Sequence, residues 1–286
     1  KGGAYKVPES VTQIGSYAFY RCPKLTSVDM PDGLTSIGNY AFRECAALGS
    51  ASIPEKVTTL GSFAFASCPK LKSVQIPAGV KGIGSFVFQG CKGLKSVEFH
   101  EKLTSIGQSA FQGCSALTGL LLPQQLTSIG NGAFQGCSRL TALTLPGKLA
   151  AIGKGAFKNC SGLTSLGIPD SVTTISDYAF AGCAGFAQVR LGSRVTTIGS
   201  YAFSDCRQLK ELSIPDTLTT LGPGAFASCG SLQAVTLPAG INQPIAISAT
   251  SSGGTLLSPF YGCSGLRKVT IKIASITTAY TDWIHN

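Results

Sequence analysis

One spacing dominates this chain: a phenylalanine followed three residues later by a cysteine occurs eleven times, and the first ten copies are 23 residues apart. These copies run from Phe19 to Phe226, and the eleventh, Phe260 with Cys263, follows after a longer interval of 34 residues. A fixed period in this range is typical of a chain that stacks one small unit on the next, because each unit buries its apolar face against its neighbours. The spacing therefore predicts one elongated array.

Each copy has a regular internal pattern. Apolar and small polar residues alternate just before a proline, as at Val74 and Ile76 before Pro77, which predicts a short strand with one buried face and then a turn. An aliphatic residue later precedes a glycine, as at Ile37 and Gly38, where we expect a bend with a positive φ or a close backbone approach. The Ala-Phe-x-x-Cys segment is too short for a regular helix and predicts a single helical or 3₁₀ turn. Stacking such units places the phenylalanine rings in an internal column.

The repeat Leu-x-x-Val-x-Ile-Pro-x-x-Leu-Thr-x-Ile-Gly-x-x-Ala-Phe-x-x-Cys resembles the 23-residue BspA-like class of leucine-rich repeat over about residues 5–271. The resemblance implies a leucine-rich-repeat solenoid with a curved parallel β-sheet on the concave face and short strands or 3₁₀ turns on the convex face. It also implies a secreted or surface-anchored protein that adheres to, or binds, host proteins. The family brings no shared catalytic motif.

We expect residues 1–286 to form a single solenoid of about eleven repeats. Because the last interval is 34 residues instead of 23, an insertion of 11 residues interrupts the final copy, within residues 239–259. Its Ser, Thr and Gly content is typical both of a recognition loop and of a mobile surface loop without a binding role. Trp283 then falls at the phenylalanine position, so residues 272–286 are predicted to form a degenerate half-repeat cap.

The eleven cysteines occupy one register of the repeat, between a buried phenylalanine and a buried leucine. This predicts an internal ladder of reduced thiols. Disulfides between neighbouring coils are the alternative, since a strand spacing of about 4.8 Å is within reach, but parallel Cβ vectors disfavour the required dihedral angle. A metal site is a third alternative, which lacks Cys-x-x-Cys spacing and partnered histidines. We expect no metal and no cofactor.

Few residues are suited to catalysis. His100 and His285 are the two imidazoles, and His100 stands where most repeats have the turn proline. Acidic residues such as Asp32 and Glu55 follow that proline, where an exposed turn provides no desolvation that would raise a carboxyl pKa. The sequence has no Gly-Lys-Ser/Thr phosphate loop, no Gly-x-Ser-x-Gly elbow and no His-x-x-x-His pair. We therefore expect a protein that is not an enzyme.

Charged residues are only 13% of the chain, about half the usual share, and the net charge is +10. The densest basic group lies in the Lys70–Lys102 region, where Lys72 and Lys95 are one period apart. Such a patch can attract polyanions such as sulfated glycans in a salt-dependent way, or it can be a solvated face that aids solubility. We do not expect nucleic acid as a partner, and no run approaches the ~18 apolar residues of a membrane span.

Two stripes are candidate binding surfaces. The residues at the exposed sheet positions are mostly small, so the few larger side chains there are the preferred contacts. The alternative is that these larger residues have no binding role and occur because the position is unconstrained. Aromatic residues two positions before the core phenylalanine either cover the phenylalanine column or, if exposed, form an apolar or sugar-stacking patch. With the two lysines, the candidate surface comprises Leu121, Gln188, Arg190, Glu211, Lys72, Lys95, Tyr17, Tyr40, Phe63 and Phe86.

These observations predict a non-enzymatic secreted or cell-surface protein that recognises an extracellular or host protein or glycan through the solenoid surface. The alternative is a structural spacer, or a scaffold that assembles end to end, without a specific ligand pocket. An uncapped apolar end favours the scaffold, whereas a polar cap at Trp283–Asn286 favours an isolated binder. The predicted location is extracellular or at the cell surface.

Overall fold

The computed structural model describes residues 3–241 and 258–272, and this part of the chain winds into stacked coils of parallel strands without a helix. Two series of strands run along the stack, because most coils contribute a strand to each series. In chain order the strands are β1 (Gly3–Lys6), β2 (Gln13–Ile14), β3 (Leu25–Asp29), β4 (Ser36–Ile37), β5 (Ser50–Ala51), β6 (Thr59–Leu60), β7 (Ser73–Gln75), β8 (Gly82–Ile83), β9 (Ser96–Glu98), β10 (Ser105–Ile106), β11 (Ser128–Ile129), β12 (Ala151–Ile152), β13 (Ser165–Gly167), β14 (Thr174–Ile175), β15 (Gln188–Arg190), β16 (Thr197–Ile198), β17 (Glu211–Ser213), β18 (Thr220–Leu221), β19 (Ala234–Leu237) and β20 (Lys268–Ile271).

We call the first series sheet A; it contains the strands that precede the turn proline or the residue that takes its place, namely β1, β3, β5, β7, β9, β13, β15, β17, β19 and β20. The remaining strands, each of two residues, form sheet B. Between β9 and β13, sheet A continues through a single parallel bridge from Leu121 to Thr144. All strand pairs of the described chain are parallel, and pairing joins residues 23 positions apart along most of the stack, as in Ser73 with Ser96, whereas β19 and β20 pair at an offset of 34. Because the pairing offset equals the repeat length, equivalent residues form columns, and the predicted solenoid of parallel strands is confirmed.

The segment around the core phenylalanine is a run of hydrogen-bonded turns. In one central coil the Gln112 amide donates to the Ser109 carbonyl (3.2 Å) and the Cys114 amide donates to the Phe111 carbonyl (3.1 Å). These are the i to i+3 bonds of a 3₁₀ turn, but Ser109 and Gly113 have φ values of 50° and 74°. Left-handed residues interrupt the right-handed turns, so the segment changes direction without becoming a helix.

The phenylalanine rings form the predicted internal column. From Phe19 to Phe260, successive rings stack with centroids 4.9–5.7 Å apart and planes within 11° of parallel. The rings from Phe42 to Phe226 are fully buried. Burying one such side chain stabilises a fold by about 2 kcal/mol, so the column is a major part of the core.

A column of thiols runs beside the rings. Each cysteine from Cys45 to Cys263 donates its thiol hydrogen to the carbonyl oxygen of the phenylalanine in the preceding coil, at 3.0–3.6 Å. The eleven cysteines are free thiols, and nine of them are buried. The thiols therefore join coils through hydrogen bonds and packing.

The long final interval lies between two coils that remain in register. Ala234 of β19 pairs with Lys268 of β20, and the Phe260 ring stacks on Phe226 at 5.7 Å. Of the predicted insertion over 239–259, residues 242–257 lie outside the described residues. The predicted cap over 272–286 also lies outside them, apart from Lys272. The single eleven-repeat domain over residues 1–286 stays a prediction.

Candidate binding surfaces

Three of the predicted contact residues come together on sheet A. Gln188 on β15 pairs directly with Glu211 on β17, and Arg190 lies two residues after Gln188 on the same exposed side of β15. The intervening residues Val189 and Leu212 are buried. Since side chains alternate between the two sides of a strand, burying those residues fixes all three polar side chains on the outer side. We call Gln188, Arg190 and Glu211 the polar cluster.

Two members of the polar cluster, Arg190 and Glu211, are charged. Within residues 3–241 and 258–272, neither Arg190 nor Glu211 forms a salt bridge. The neighbours of Arg190 in its column are small, namely Gly167 and Ser213, whereas Glu211 lies between Gln188 and Ala234. A partner can therefore approach the Arg190 charge closely along its column.

Leu121 is on the same side of the solenoid but apart from the polar cluster. Its side chain is 82% exposed, the highest value among the exposed large apolar residues of the described chain. It shares a column with Arg190 and lies three coils earlier, which corresponds to roughly 14 Å at the usual strand spacing. The structure therefore does not bring Leu121 into contact with the cluster.

Lys72 and Lys95 are neighbours in adjacent coils. The Lys95 amide donates to the Lys72 carbonyl at 2.8 Å, and both residues are exposed immediately before strands of sheet A. Neither side chain forms a salt bridge within the described part of the chain. Two like charges one strand spacing apart raise the local positive potential.

The aromatic stripe is a second ring stack outside the core. Tyr17, Tyr40, Phe63 and Phe86 stack with centroids 4.8, 4.9 and 4.4 Å apart and planes within 6° of parallel. The Arg43 guanidinium lies 5.5 Å from the Tyr40 centroid and 5.4 Å from that of Phe63. Because each ring covers the face of the next, the stripe presents ring edges to solvent. This geometry favours the structural role, in which the stripe covers the phenylalanine column, over the stacking of sugars along the stripe.

The stripe residues also have an unusual backbone conformation. Tyr17, Tyr40, Phe63 and Phe86 have φ values of 58–63°, in the left-handed region that most side chains avoid. Sequence reasoning missed this property. The signal was present, because glycine takes the same repeat position in three other coils, at Gly132, Gly155 and Gly224, which also have positive φ values.

The structure also reveals a groove that the sequence did not indicate. It lies beside a second pair of stripe residues, Tyr178 and Tyr201, whose rings stack at 5.1 Å. Its volume is about 440 Å³, and it is open to solvent along one side. We call it the tyrosine groove, and its lining residues are Lys158, Asn159, Tyr178, Ala181, Gly182, Ala184, Tyr201, Ser204, Asp205 and Arg207.

The buried thiols have pKa values that disfavour the reactive thiolate form. Burial raises the pKa of the Cys137 thiol to about 12, and it raises the pKa of Cys114, Cys160 and Cys183 well above the usual value. A thiol reacts and binds metals as the thiolate, so a raised pKa opposes both roles. Among the described residues, no group of three or more His, Cys, Asp or Glu side chains is arranged to hold a metal ion.

The described residues contain no helix with the length and apolar character that crossing a membrane requires.

The family model for the BspA type leucine-rich repeat region matches in six copies, over residues 4–94, 58–186 and 151–251. This chain belongs to the BspA-type leucine-rich repeat family. The prediction from the repeat pattern is thereby confirmed. A comparison with curated protein sequences finds no match.

Several solved structures are similar to this one. A leucine-rich repeat protein from Bacteroides ovatus is 26% identical, with a TM-score of 0.62 over 93% of this chain and 74% of that chain. A leucine rich cell surface protein from Faecalibacterium prausnitzii is 25% identical, with a TM-score of 0.52 over 94% of this chain and 87% of that chain. The pneumococcal vaccine antigen PcpA is 20% identical, with a TM-score of 0.62 over 99% and 80% of the two chains, and at this identity the likeness shows the fold alone.

Proposed function

We propose that this chain is a non-enzymatic binding protein of the cell surface or extracellular space that recognises an extracellular protein or glycan through the outer side of sheet A. The observation that carries the proposal is the polar cluster. Gln188 and Glu211 are directly paired, Arg190 is beside them, and the two charges have no salt-bridge partner among the described residues. Exposed unpaired charges on a rigid sheet provide specificity in recognition.

The location rests on similarity. The protein from Faecalibacterium prausnitzii that is 25% identical to this chain is a cell surface protein, and the two chains align over most of their lengths. This likeness supports a surface or extracellular location. Outside the cell, a smooth face of small residues suits partners with extended backbones or many hydroxyl groups.

The test is a binding screen followed by substitution of the polar cluster. The purified chain is screened against extracellular matrix proteins and a glycan array. For any partner found, the triple variant Gln188→Ala, Arg190→Ala, Glu211→Ala is expected to bind at least about tenfold more weakly, because it removes two charged contacts and one amide. Surface plasmon resonance measures the change.

A matched control uses the same face of sheet A nearer the N-terminus, with Ser50→Ala, Ser73→Ala and Gln75→Ala. All three residues are exposed, as are those of the cluster. Equal affinity of the control and the unmodified chain is expected. If no partner binds while the chain self-associates in sedimentation experiments, the scaffold interpretation replaces this proposal.

A second candidate function is polyanion contact through the lysine pair. The 2.8 Å backbone bond between Lys95 and Lys72 places their exposed side chains in adjacent coils, which favours this candidate. The double variant Lys72→Gln, Lys95→Gln is expected to leave a heparin column at lower salt than the unmodified chain. Unchanged elution salt would reject the contact.

A further inference from the structure

We propose that the tyrosine groove binds an acidic saccharide, meaning a short glycan with a carboxylate or sulfate group. The groove belongs to the turn segments around Phe180 and Phe203, whereas the polar cluster belongs to sheet A. The inference rests on the proposed binding role of the chain, but not on the polar cluster. The two surfaces can therefore be tested separately.

The groove lies where three consecutive coils have small residues at one repeat position, and two of these residues line it. The residue after the core phenylalanine is Gln89, Gln112 and Gln135 in three consecutive central coils, and these amides hydrogen-bond to one another at 2.8 and 3.1 Å. At the same position the groove has Ala181 and Ser204, both buried. Their short side chains leave open the space that the glutamine ladder fills elsewhere.

The floor and wall of the groove offer polar groups suited to sugar hydroxyls. Ser204 is 8% exposed and lines the floor, and its hydroxyl makes no hydrogen bond with any described residue. The Asn159 side-chain oxygen occupies the space that a Cβ atom on Gly182 would take, so the glycine lets the amide lie over the backbone of the next coil. An amide and a hydroxyl both donate and accept hydrogen bonds, as saccharide hydroxyls require.

One end of the groove is positively charged. The Lys158 ammonium lies 5.2 Å from the centroid of the Tyr178 ring and forms no salt bridge within the described ranges. Lys154 lies 5.6 Å from the same centroid, but its ammonium is 3.6 Å from an Asp177 carboxylate oxygen. Lys158 is therefore the cation that remains available for an acidic ligand.

The other charged pair in the groove neutralises itself. The Arg207 guanidinium donates to the Asp205 carboxylate at 3.1 Å, so this pair adds little net charge while keeping polar atoms at the wall. The net positive charge of the lining residues thus comes from Lys158. This arrangement favours a ligand with one acidic group and several hydroxyls over a neutral sugar.

The tyrosines contribute their edges. The faces of Tyr178 and Tyr201 cover each other, and the outer face of Tyr201 lies against Gly224, whose added Cβ atom would meet the ring at 2.6 Å. The outer face of Tyr178 is covered by the two lysine ammonium groups. An aromatic edge has positive potential, so two ring edges reinforce Lys158 in attracting an anion.

The experiment measures binding of defined tetrasaccharides by isothermal titration calorimetry at 0.15 M salt, which screens diffuse attraction between exposed charges. The acidic probes are tetragalacturonate and a heparin-derived tetrasaccharide, and the neutral probe is maltotetraose. We expect at least one acidic probe to bind and the neutral probe to bind at least about tenfold more weakly. Failure of both acidic probes, or equal binding of the neutral one, overturns the proposal.

Substitutions then locate the site. Ala181→Gln introduces the residue that three other coils tolerate at this position and fills the groove, so binding should be lost. Lys158→Gln should weaken binding about tenfold, because it removes one charge-assisted contact. Ala181→Ser keeps the groove open and should bind as the unmodified chain does. Thermal unfolding by circular dichroism establishes that each variant is folded.

Two comparisons separate this site from the other surfaces. Lys72→Gln with Lys95→Gln, and the triple alanine variant of the polar cluster, should both retain saccharide binding. If Ala181→Gln binds normally, the groove proposal is wrong. Loss of binding in the variant Lys72→Gln, Lys95→Gln would then place the ligand at that pair of lysines. Equal competition by hexaglutamate would show that charge alone is recognised, which also overturns the saccharide class.

Discussion

At the scale of single residues, the thiol column makes the fold sensitive to alkaline pH. The Cys137 thiol is fully buried and donates to the Phe111 carbonyl at 3.3 Å, and burial raises its pKa to about 12. An unfolded thiol loses its proton near pH 9. Between these values the folded state holds more protons, so the free energy of unfolding falls as pH rises, by about 1.4 kcal/mol per pH unit for each such thiol.

We therefore expect the unmodified chain to lose stability steeply above pH 9. Cys137→Ser keeps a hydroxyl donor but removes the titration, so its stability should fall less steeply, by about 1.4 kcal/mol per pH unit. Denaturant unfolding at pH 8, 9, 10 and 11 measures both slopes. Cys137→Ala should show the same reduced slope from a lower starting stability. Slopes unchanged in both variants would mean that this thiol is not protected.

At the scale of the coil, glycines set how closely one turn approaches the next. A Cβ atom on Gly107 would lie 2.8 Å from the Gly84 carbonyl carbon and 2.8 Å from the Ile83 oxygen, both of them backbone atoms that cannot rotate away. Of the two reasons predicted for the glycine after each aliphatic residue, close approach is the one that applies, since Gly107 is not among the residues with positive φ.

Gly107→Ala is expected to destabilise the chain by about 1–3 kcal/mol, because the added methyl forces neighbouring coils apart. Gly119→Ala is the matched control, since its Cβ atom would meet nothing within 4 Å. That control should be neutral, or slightly stabilising through the unfolded state. Denaturant unfolding measures both. A loss for Gly119→Ala equal to that for Gly107→Ala would contradict the role of close approach.

The coil also shows where sequence reasoning succeeds and where it ends. The columns of phenylalanine and cysteine followed from the 23-residue period, because strand pairing uses the same offset. The left-handed φ of Tyr40 did not, since only an alignment that weighed Gly132 at the same position would have indicated it. The tyrosine groove depends on the joint shortness of Ala181 and Ser204 in adjacent coils, a combination that no single repeat reveals.

At the scale of the whole molecule, stability is a sum over neighbouring coils. The described strands pair with the coil before or after them, and each thiol from Cys45 to Cys263 reaches the preceding coil. An array of this kind tolerates loss of one unit if the units on either side meet in the same register. A shift of one residue instead moves every inward side chain of a strand to the outer side. The length of a deletion, more than its composition, should therefore decide its effect.

Deleting residues 119–141 removes 23 residues and joins Thr118 to Ala142, which occupies the position of Gly119 one coil later. This variant should unfold cooperatively with a modestly lower melting temperature, because one set of coil contacts is lost. Deleting 119–140 removes 22 residues and places Thr141 where an outward sheet residue belongs, so Leu143 no longer follows at the buried position. We expect that variant to lose its cooperative transition by circular dichroism. In the intact chain the columns of rings and thiols show a fixed register between coils. Equal melting temperatures of the two variants would contradict the claim that stability depends on this register.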